Sequence, residues 1–416
     1  MTDARAVAAL AFFETVLLLL AAALIASTAK TAVSRSGLSR LRASLYCAIG
    51  LLVTQLAVAA IGVRAMELDK IRDFTGFYIG ARLLGTDRIY DVPANVAMQR
   101  TLTGRTKDDV VFVRPPFWAA AIKPLTALPY RKALLLWKLL IIGCTLSFIW
   151  LFPLCPRRYT AIGVFWSLPV ALAVAIAQDT PLILLWLALA LMAWRCGRPM
   201  LCGALLALCL PKFYALVMLP LLLFQRRYFK VLTGFATVGL VAVAINFAVQ
   251  PNWIRLYWAA LNLPARHMNG RPSMMPNFYS LFAWTGHPGT GVVIGVAVVM
   301  VALWPICRKA SFELALTSCL LGGVFASYHA NDSDAILAIP ALLGAAAQYR
   351  QLVPWAAVAL SPVAFAGFLF YWPSIAAPMF LLPCLAIIVF VGIQHVVGDK
   401  GHDKRREPIG AIGESG

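Results

Sequence analysis

Long apolar segments recur along the whole chain, and they limit its possible folds more than any other feature of the sequence. A helix needs about 20 apolar residues to cross a bilayer, and the segments are enough for about 12–13 transmembrane helices. They are continuous rather than alternating, which excludes a β-barrel. Because 61% of the residues are hydrophobic and only 13% are charged, a soluble enzyme, a DNA-binding domain and a secreted disulfide-rich module are excluded as well. The segments are residues 6–29, 43–63, 131–152, 160–177, 181–194, 200–210, 213–224, 231–249, 289–304, 312–327, 335–348, 353–371 and 374–393.

We therefore expect an all-α polytopic membrane protein in three parts. Residues 1–42 comprise a first transmembrane helix, more consistent with an uncleaved helix than with a signal peptide, and a basic cytoplasmic loop. Residues 43–393 form the main transmembrane domain, with long outer loops at 64–130 and 250–288. Residues 394–416 form a disordered cytoplasmic tail.

Basic residues alternate between the loops, and this alternation predicts the orientation. The loop Lys30–Arg42 is basic and has no acid, so it is assigned to the cytoplasm, and the acids then collect in the outer loops. The alternation requires that 116–128 does not cross alone, which predicts a re-entrant or interfacial segment there. Residues 200–210 and 213–224, split by Pro211–Lys212, could form one broken unit.

The formal charge of +19 follows from this orientation rather than from binding to nucleic acid. Basic cytoplasmic loops attract anionic membrane lipid, which is the expected partner of this charge. The expected location is the cell inner or plasma membrane, with the polar chemistry on the extracytoplasmic side.

Neither the cysteines nor the short motifs indicate a cofactor. The nine cysteines lie in or beside apolar segments and none forms a C-x-x-C pair, so they are expected to be apolar packing residues. The sequence has no phosphate-binding P-loop, no dinucleotide fingerprint and no H-E-x-x-H motif. We therefore expect no metal and no nucleotide cofactor.

The first outer loop contains a predicted helix with an acid at its start. Phe74, Tyr78 and Ala81 recur at helical spacing among arginines, which is typical of an amphipathic helix in the plane of the interface, and Gly85 is a plausible stop. Asp73 is either the N-cap of this helix or a catalytic carboxylate at membrane level.

Other polar residues lie beside apolar helices in the predicted outer turns. Lys212, between two short apolar helices, either reaches the headgroups or faces a cavity or counter-ion. Arg114 is either a headgroup anchor or a phosphate contact. His329 with Asp332 and Asp334 could be an acid–base site, a weak metal pair or a solvated turn.

The second outer loop mixes aromatic residues with Arg266 and Arg271. Aromatic residues in such a loop are typical of interface anchors, but their faces also suit sugar rings. Arginine suits phosphate oxygens. The two interpretations are compatible.

A set of residues spread over most of the chain has a recognisable order and spacing: Asp73-Phe74, Tyr78, Ala81, Gly85, Tyr90-Asp91, Pro115-Pro116, Pro124-Leu125, Leu128-Pro129, Trp137, Gln178, Gly203, Lys212, Asn277, His329 and Asp334. Over roughly 65–345, this order and spacing resemble glycosyltransferase family 87. This family has a GT-C fold and includes polyprenol-phosphate-mannose-dependent α-mannosyltransferases. The chain departs from the family pattern at Arg114, Ala177, Asp179 and Phe213, where the family has an aromatic residue, Gly, Asn and Pro.

The resemblance implies a GT-C-like bundle that transfers a hexose, with mannose as the first candidate, from a polyprenyl-phosphate sugar. The acceptor would be a glycan or glycolipid at the outer face. Asp73 would be the catalytic base and His329 a second polar partner. The residues implied to bind the substrate or its phosphate are Lys212, Arg266, Arg271, Arg114, Tyr78, Gln178 and Asp334.

The main alternative is a polytopic transporter or a flippase for lipid-linked sugars, in which Lys212, His329 and Asp334 would form a substrate or proton relay. Transporters often have internal repeats with matching broken helices, and only one broken pair is visible in this sequence. The long outer loops favour an enzyme. A non-catalytic scaffold of envelope assembly is a third possibility.

Overall fold

A computed structural model describes residues 73–104, 111–261, 275–283, 285–365 and 373–403. All regular structure in these ranges is helical, which confirms the all-α polytopic prediction. The predicted segments 6–29 and 43–63, together with Arg266 and Arg271, lie outside the described residues.

Seventeen α-helices follow one another along the described ranges. Short 3-10 helices join some of them, at Lys123–Ala127, Leu210–Leu216, Asp332–Leu337, Arg350–Leu352 and Pro362–Phe365. The α-helices are α1 (Asp73–Leu83), α2 (Val92–Thr103), α3 (Pro116–Ile122), α4 (Tyr130–Leu151), α5 (Arg157–Trp166), α6 (Leu168–Ala175), α7 (Thr180–Arg195), α8 (Pro199–Ala207), α9 (Leu219–Gln225), α10 (Phe229–Val249), α11 (Trp253–Leu261), α12 (Phe278–Ala283), α13 (Pro288–Lys309), α14 (Phe312–Ala326), α15 (Ala338–Gln348), α16 (Val353–Leu360) and α17 (Pro373–Asp403).

Four helices of the described part are long and apolar enough to cross a bilayer: α4, α10, α13 and residues Ala377–Val397 of α17. Two bent pairs raise the number to six if each pair is one span. The 12–13 helices expected from the sequence include segments outside the described ranges, so the two numbers refer to different stretches of chain. Within the described ranges, some predicted segments form helices shorter than a full span. Helices α7 and α14, for example, have only 16 and 15 residues, which is short for a bilayer.

The segment 116–128 forms the seven-residue helix α3 and a 3-10 turn. These pieces are too short to cross a bilayer, as the charge alternation required. Pro115 and Pro116 begin α3, since proline is compatible with the first helical position. The segment packs against α1 and α10.

The predicted broken unit around Pro211–Lys212 is present. Helix α8 ends at Ala207 and the 3-10 helix Leu210–Leu216 follows at an angle of 106°. Lys212 lies in this second piece with a non-helical backbone (φ −117°, ψ 54°). Such a break is stable at membrane depth only where the protein itself surrounds the irregular backbone, and Lys212 is fully buried.

Helix α1 begins at Asp73, where the sequence placed it, but it is buried far more than an amphipathic interfacial helix would be. All its residues except Asp73 and Arg82 are buried. Phe74 stacks on Trp137 of α4 at a ring distance of 5.4 Å. A Cβ atom at Gly80 would overlap the ring of Phe112. Small residues thus let α1 pack against protein on both sides, which hydrophobic spacing alone does not reveal.

Helices α8 and α10 pack with their backbones in close approach through a pair of glycines. A Cβ atom at Gly203 of α8 would overlap the carbonyl oxygen of Val231, and one at Gly234 of α10 would overlap that of Met200. Small residues at helix contacts allow this approach in membranes, where lipid tails remove much of the hydrophobic driving force for association.

We expect Gly234→Ala to destabilise the protein, because the added methyl group must push the backbone of α8 away. Overpacking of this kind costs about 1–3 kcal/mol. Gly239→Ala on the same helix is the matched control, since its Cβ would meet only Leu210 Cδ1, at 3.8 Å. Thermal unfolding in detergent should give a lower midpoint for the first variant alone; equal midpoints would contradict the close packing.

Candidate active site

The buried turn between α6 and α7 fixes the position of α1. Ala177 has a left-handed backbone (φ 56°), which reverses the chain before Gln178. The carbonyl oxygen of Ile176 accepts a 2.9 Å hydrogen bond from the backbone N–H of Asp73. The carbonyl oxygen of Ala177 accepts one of 3.0 Å from the indole N–H of Trp137. The first residue of α1 is therefore anchored to this turn.

The side chain of Gln178 orients the carboxylate of Asp73. Its amide oxygen accepts a 3.0 Å hydrogen bond from the backbone N–H of Asp179, so its NH₂ group faces the other way. That group donates to Oδ2 of Asp73. The carboxylate of Asp73 is thus held in one orientation, although the residue is only partly buried.

Asp73 and Gln178 line a cleft together with three polar residues from other parts of the chain. Arg114 precedes α3, while His329 and Asn331 come from the turn after α14. The remaining lining residues are Gly76, Phe77, Val111 and Val113. The cleft therefore has an apolar wall from α1 and the segment before α3, and a polar wall that combines a carboxylate, a guanidinium group and an imidazole.

A buried cluster of charges lies behind the polar wall and is centred on Lys212. Its Nζ atom is 3.1 Å from Oδ1 of Asp179 and donates to Oδ1 of Asp334. The hydroxyl of Tyr214 lies 3.4 Å from the same ammonium group and donates to Oδ2 of Asp334 at 2.7 Å. With two carboxylates as counter-ions, the charge of Lys212 is already balanced within the protein.

Asp334 also closes the turn that carries His329. Its Oδ2 atom accepts the backbone N–H of Asn331 at 2.8 Å, which forms a reciprocal capping box with Asn331 at the start of Asp332–Leu337. Its Oδ1 atom accepts the hydroxyl of Thr180 at 3.2 Å. One carboxylate therefore ties the late turn to α7 and to Lys212.

Among the described residues, Arg114 is the one cation in the lining of the cleft. Its NH2 atom is 3.4 Å from Oδ1 of Asp179, and its guanidinium group lies 5.9 Å from the ring centre of Phe77. Its Nε atom is buried without a hydrogen-bond partner in the described structure. A buried N–H of a cation without a partner is costly, so the cleft offers an incompletely used donor to an anion.

The environment shifts the pKa values of the site in different directions. Burial raises the pKa of Asp73 to about 7, although Lys212 and Arg114 act against this rise. Burial and the nearby Arg114 charge lower the pKa of His329 to about 4. Burial alone would raise the pKa of Asp334, but Lys212 reverses the effect and holds it below its usual value.

Near neutral pH the site therefore contains three distinct kinds of acid–base group. Asp73 can exchange a proton, His329 is neutral, and Asp334 stays ionised. Carboxylates separated in this way by their surroundings are typical of acid–base sites in enzymes. Among the residues that the structure describes, no group of three His, Cys, Asp or Glu side chains could hold a metal ion.

The structure brings together most of the site residues that the sequence indicated. Asp73, Arg114, Gln178 and His329 line one cleft. Lys212 and Asp334 lie directly behind it. The structure places three of the predicted binding residues away from the cleft surface. Tyr78 is buried among aromatic rings, with its hydroxyl on the Leu128 carbonyl at 2.8 Å. Lys212 and Asp334 have no exposed surface.

Two residues of the cluster, Asp179 and Tyr214, were not among the predicted site residues. Asp179 follows Gln178 directly and belongs to the acids of the predicted outer turns, so its position was a usable signal. Tyr214 lies two residues after Lys212, where a break in the helix could have suggested a partner for the lysine. The contact of Asp179 with Lys212 joins residues that are far apart in the sequence, and no local pattern predicts it.

The described part of the chain is helical, contains helices long enough to cross a membrane and forms a polar cleft with acid–base groups. These are the features of a membrane-embedded enzyme. Residues 112–330 match the family model of glycosyltransferase family 87. Since this match covers just over half of the 416 residues, the chain belongs to glycosyltransferase family 87 and is a membrane glycosyltransferase. The matched range includes Arg114, Gln178, Lys212 and His329. No curated protein and no solved structure matched the chain.

We expect Lys212→Met to lose stability rather than only affinity for a substrate. The substitution leaves Asp179 and Asp334 buried without their shared cation, and breaking a buried pair in this way costs about 3–5 kcal/mol. Lys132→Met, which removes an exposed lysine of α4, is the control. The measurement is the thermal unfolding midpoint in detergent. A Lys212→Met protein with the parental midpoint and weakened substrate binding would instead make Lys212 a substrate contact.

Proposed function

We propose that this glycosyltransferase moves a hexose, with mannose as the first candidate, from a polyprenyl-phosphate sugar to a glycan or glycolipid acceptor. The observation that carries the proposal is the pairing in one cleft of the Asp73 carboxylate, whose pKa is about 7, with the partly unpaired guanidinium group of Arg114. The first suits an attacking hydroxyl, and the second suits a phosphate.

Asp73 acts as the general base in this proposal. A base is most effective when its pKa lies near the working pH, because it is then both ionised and basic enough to take a proton. Gln178 holds Oδ2, which leaves Oδ1 to accept the proton of the acceptor hydroxyl. As that proton moves to Asp73, the hydroxyl oxygen attacks the anomeric carbon of the donor sugar.

Arg114 holds the phosphate of the donor as the bond to the sugar breaks. Arginine offers several N–H donors in a plane that matches phosphate oxygens, and a fixed cation stabilises the charge that develops on the leaving group. His329 is neutral because its pKa is lowered to about 4, so it supplies a hydrogen bond rather than a charge. Lys212 supports this wall from behind through Asp179.

A polyprenyl phosphate is already a reasonable leaving group, so the reaction needs a base and a phosphate contact more than a strong acid. Attack from the face opposite the phosphate inverts the anomeric centre, as a positioned water does in inverting glycosidases. The basic loops at the other end of the helices support placing the cleft at the extracytoplasmic side of a cell inner or plasma membrane.

We expect Asp73→Asn to reduce sugar transfer by about 100-fold or more, because a positioned base contributes about 10²–10⁴-fold to such a step. The assay follows transfer in isolated membranes from a small panel of polyprenyl-phosphate sugars, and Asp73→Asn is compared at equal protein level. Asp87→Asn, which removes an exposed carboxylate after α1, is the matched control. Full activity of Asp73→Asn would exclude Asp73 as the base.

The rate should also depend on pH in one direction. Asp73 must be ionised to accept a proton, so kcat/KM should rise with pH, reach half its maximum near pH 7 and then level off. The profile is measured for the parent protein between about pH 5.5 and about pH 8.5, which spans the pKa of the base. A flat profile, or one that falls across this range, would contradict the assignment.

A further inference from the structure

The carboxylate of Asp179 is shared between the two cations of the site. Its Oδ1 atom lies 3.1 Å from Nζ of Lys212 and 3.4 Å from NH2 of Arg114. Its side chain is 1% exposed, and its Oδ2 atom is buried without a hydrogen-bond partner in the described structure. Burying an ionised carboxylate this deeply is costly unless its neighbours compensate, so the two cations and Asp179 depend on one another.

Asp179 also contacts the half of the cleft that contains Asp73. Its backbone N–H donates to the amide oxygen of Gln178 at 3.0 Å. This bond turns the amide NH₂ of Gln178 toward the Asp73 carboxylate. Asp179 is therefore bonded to both functional parts of the cleft: to Arg114 through its side chain, and to the partner of Asp73 through its backbone.

The guanidinium group of Arg114 depends on Asp179 for its direction. Within the described ranges, its contact with Asp179 is the one side-chain hydrogen bond that the guanidinium group makes. The Tyr90 hydroxyl bonds to the carbonyl oxygen of Arg114 at 2.8 Å, which fixes the backbone but leaves the side-chain torsions free. The guanidinium group lies over the ring of Phe77, but this contact does not fix its orientation along the cleft.

We propose that Asp179 is a positioning residue of the transfer reaction, which aims the Arg114 guanidinium group at the donor phosphate and balances its charge beside Asp73. This inference rests on the proposed function. Asp179 itself does not contact the reacting atoms. It acts through Arg114, and the long 3.4 Å contact leaves Arg114 able to take a second, stronger acceptor.

The charges that face Asp73 give this role a second readout. They are the cations Lys212 and Arg114, which lower its pKa, and the carboxylates Asp179 and Asp332, which raise it. Removing the Asp179 charge should move the acidic limb of the pH–rate profile to lower pH. Removing the Arg114 charge should move the limb to higher pH, because a cation that favours ionised Asp73 is lost.

The experiment measures the apparent donor KM and the pH–rate profile for four proteins: the parent, Asp179→Asn, Arg114→Gln and the double variant. Asn keeps the size of Asp and its backbone N–H, so the bond to Gln178 is retained. If Asp179 works through Arg114, we expect Asp179→Asn to raise the donor KM about tenfold in the parent. It should have less than about a twofold effect once Arg114 is Gln, since coupled residues are not additive.

The control is Asp87→Asn, which removes the same charge from an exposed site. It should leave the KM and the acidic limb unchanged. A merely structural role for Asp179 would lower the unfolding midpoint of Asp179→Asn and would change the donor KM by the same factor whether residue 114 is Arg or Gln. Additive effects on the donor KM, or an acidic limb that does not move in Asp179→Asn, would overturn the proposal.

The double variant keeps the test valid if Asp179→Asn alone does not fold. It leaves neither member of the Arg114–Asp179 pair unpartnered, so it should fold more readily than the single variant. Its donor KM is then compared with that of Arg114→Gln: equal values support the proposal, and different values overturn it. If the parent protein transfers no sugar from any polyprenyl-phosphate donor, the proposed function itself fails, whereas parental transfer with additive variants overturns this inference alone.

Discussion

The fully buried ammonium group of Lys212 is the constraint on which the site is built. A charge in such a position requires counter-charges from the protein, and these come from two distant parts of the chain, Asp179 before α7 and Asp334 in the turn after α14. The lysine reaches them because the chain bends by 106° after α8. The ion cluster therefore joins three turns that are far apart in the sequence, and the wall of the cleft is formed by the residues next to them.

This arrangement separates the tasks of groups that are chemically alike. Lys212 keeps Asp334 ionised, and Asp334 holds the late turn against α7. Asp73 lines the cleft instead, and burial raises its pKa to about 7. The cations differ in the same way. Lys212 is saturated by its partners, while Arg114 has one long contact and an unused N–H. Surroundings rather than residue type thus decide which groups are available to a substrate.

Much of this could be predicted from the sequence, and the parts that could not have a physical reason. Long apolar segments predict helices, because only a helix can place so many apolar residues in a membrane. The loop charges predicted that Gln178, Lys212 and His329 lie on the same side of that membrane. Local hydropathy does not distinguish a short buried helix such as α14 from one long enough to cross a bilayer. The burial of α1 depends on its packing against Phe112 and Trp137. Arg114 and Asp179 are bonded to each other, and only the folded chain reveals this contact.

The left-handed backbone of Ala177 has a consequence for how this protein can change. This conformation costs a residue with a Cβ atom about 1–2 kcal/mol. It occurs here in the turn whose carbonyl oxygens accept hydrogen bonds from Asp73 and Trp137. Backbone strain of this kind persists only where the surrounding structure over-determines it. The turn that anchors Asp73 is therefore held in a strained conformation by its neighbours, and a glycine at position 177 would relieve this strain but also loosen the turn.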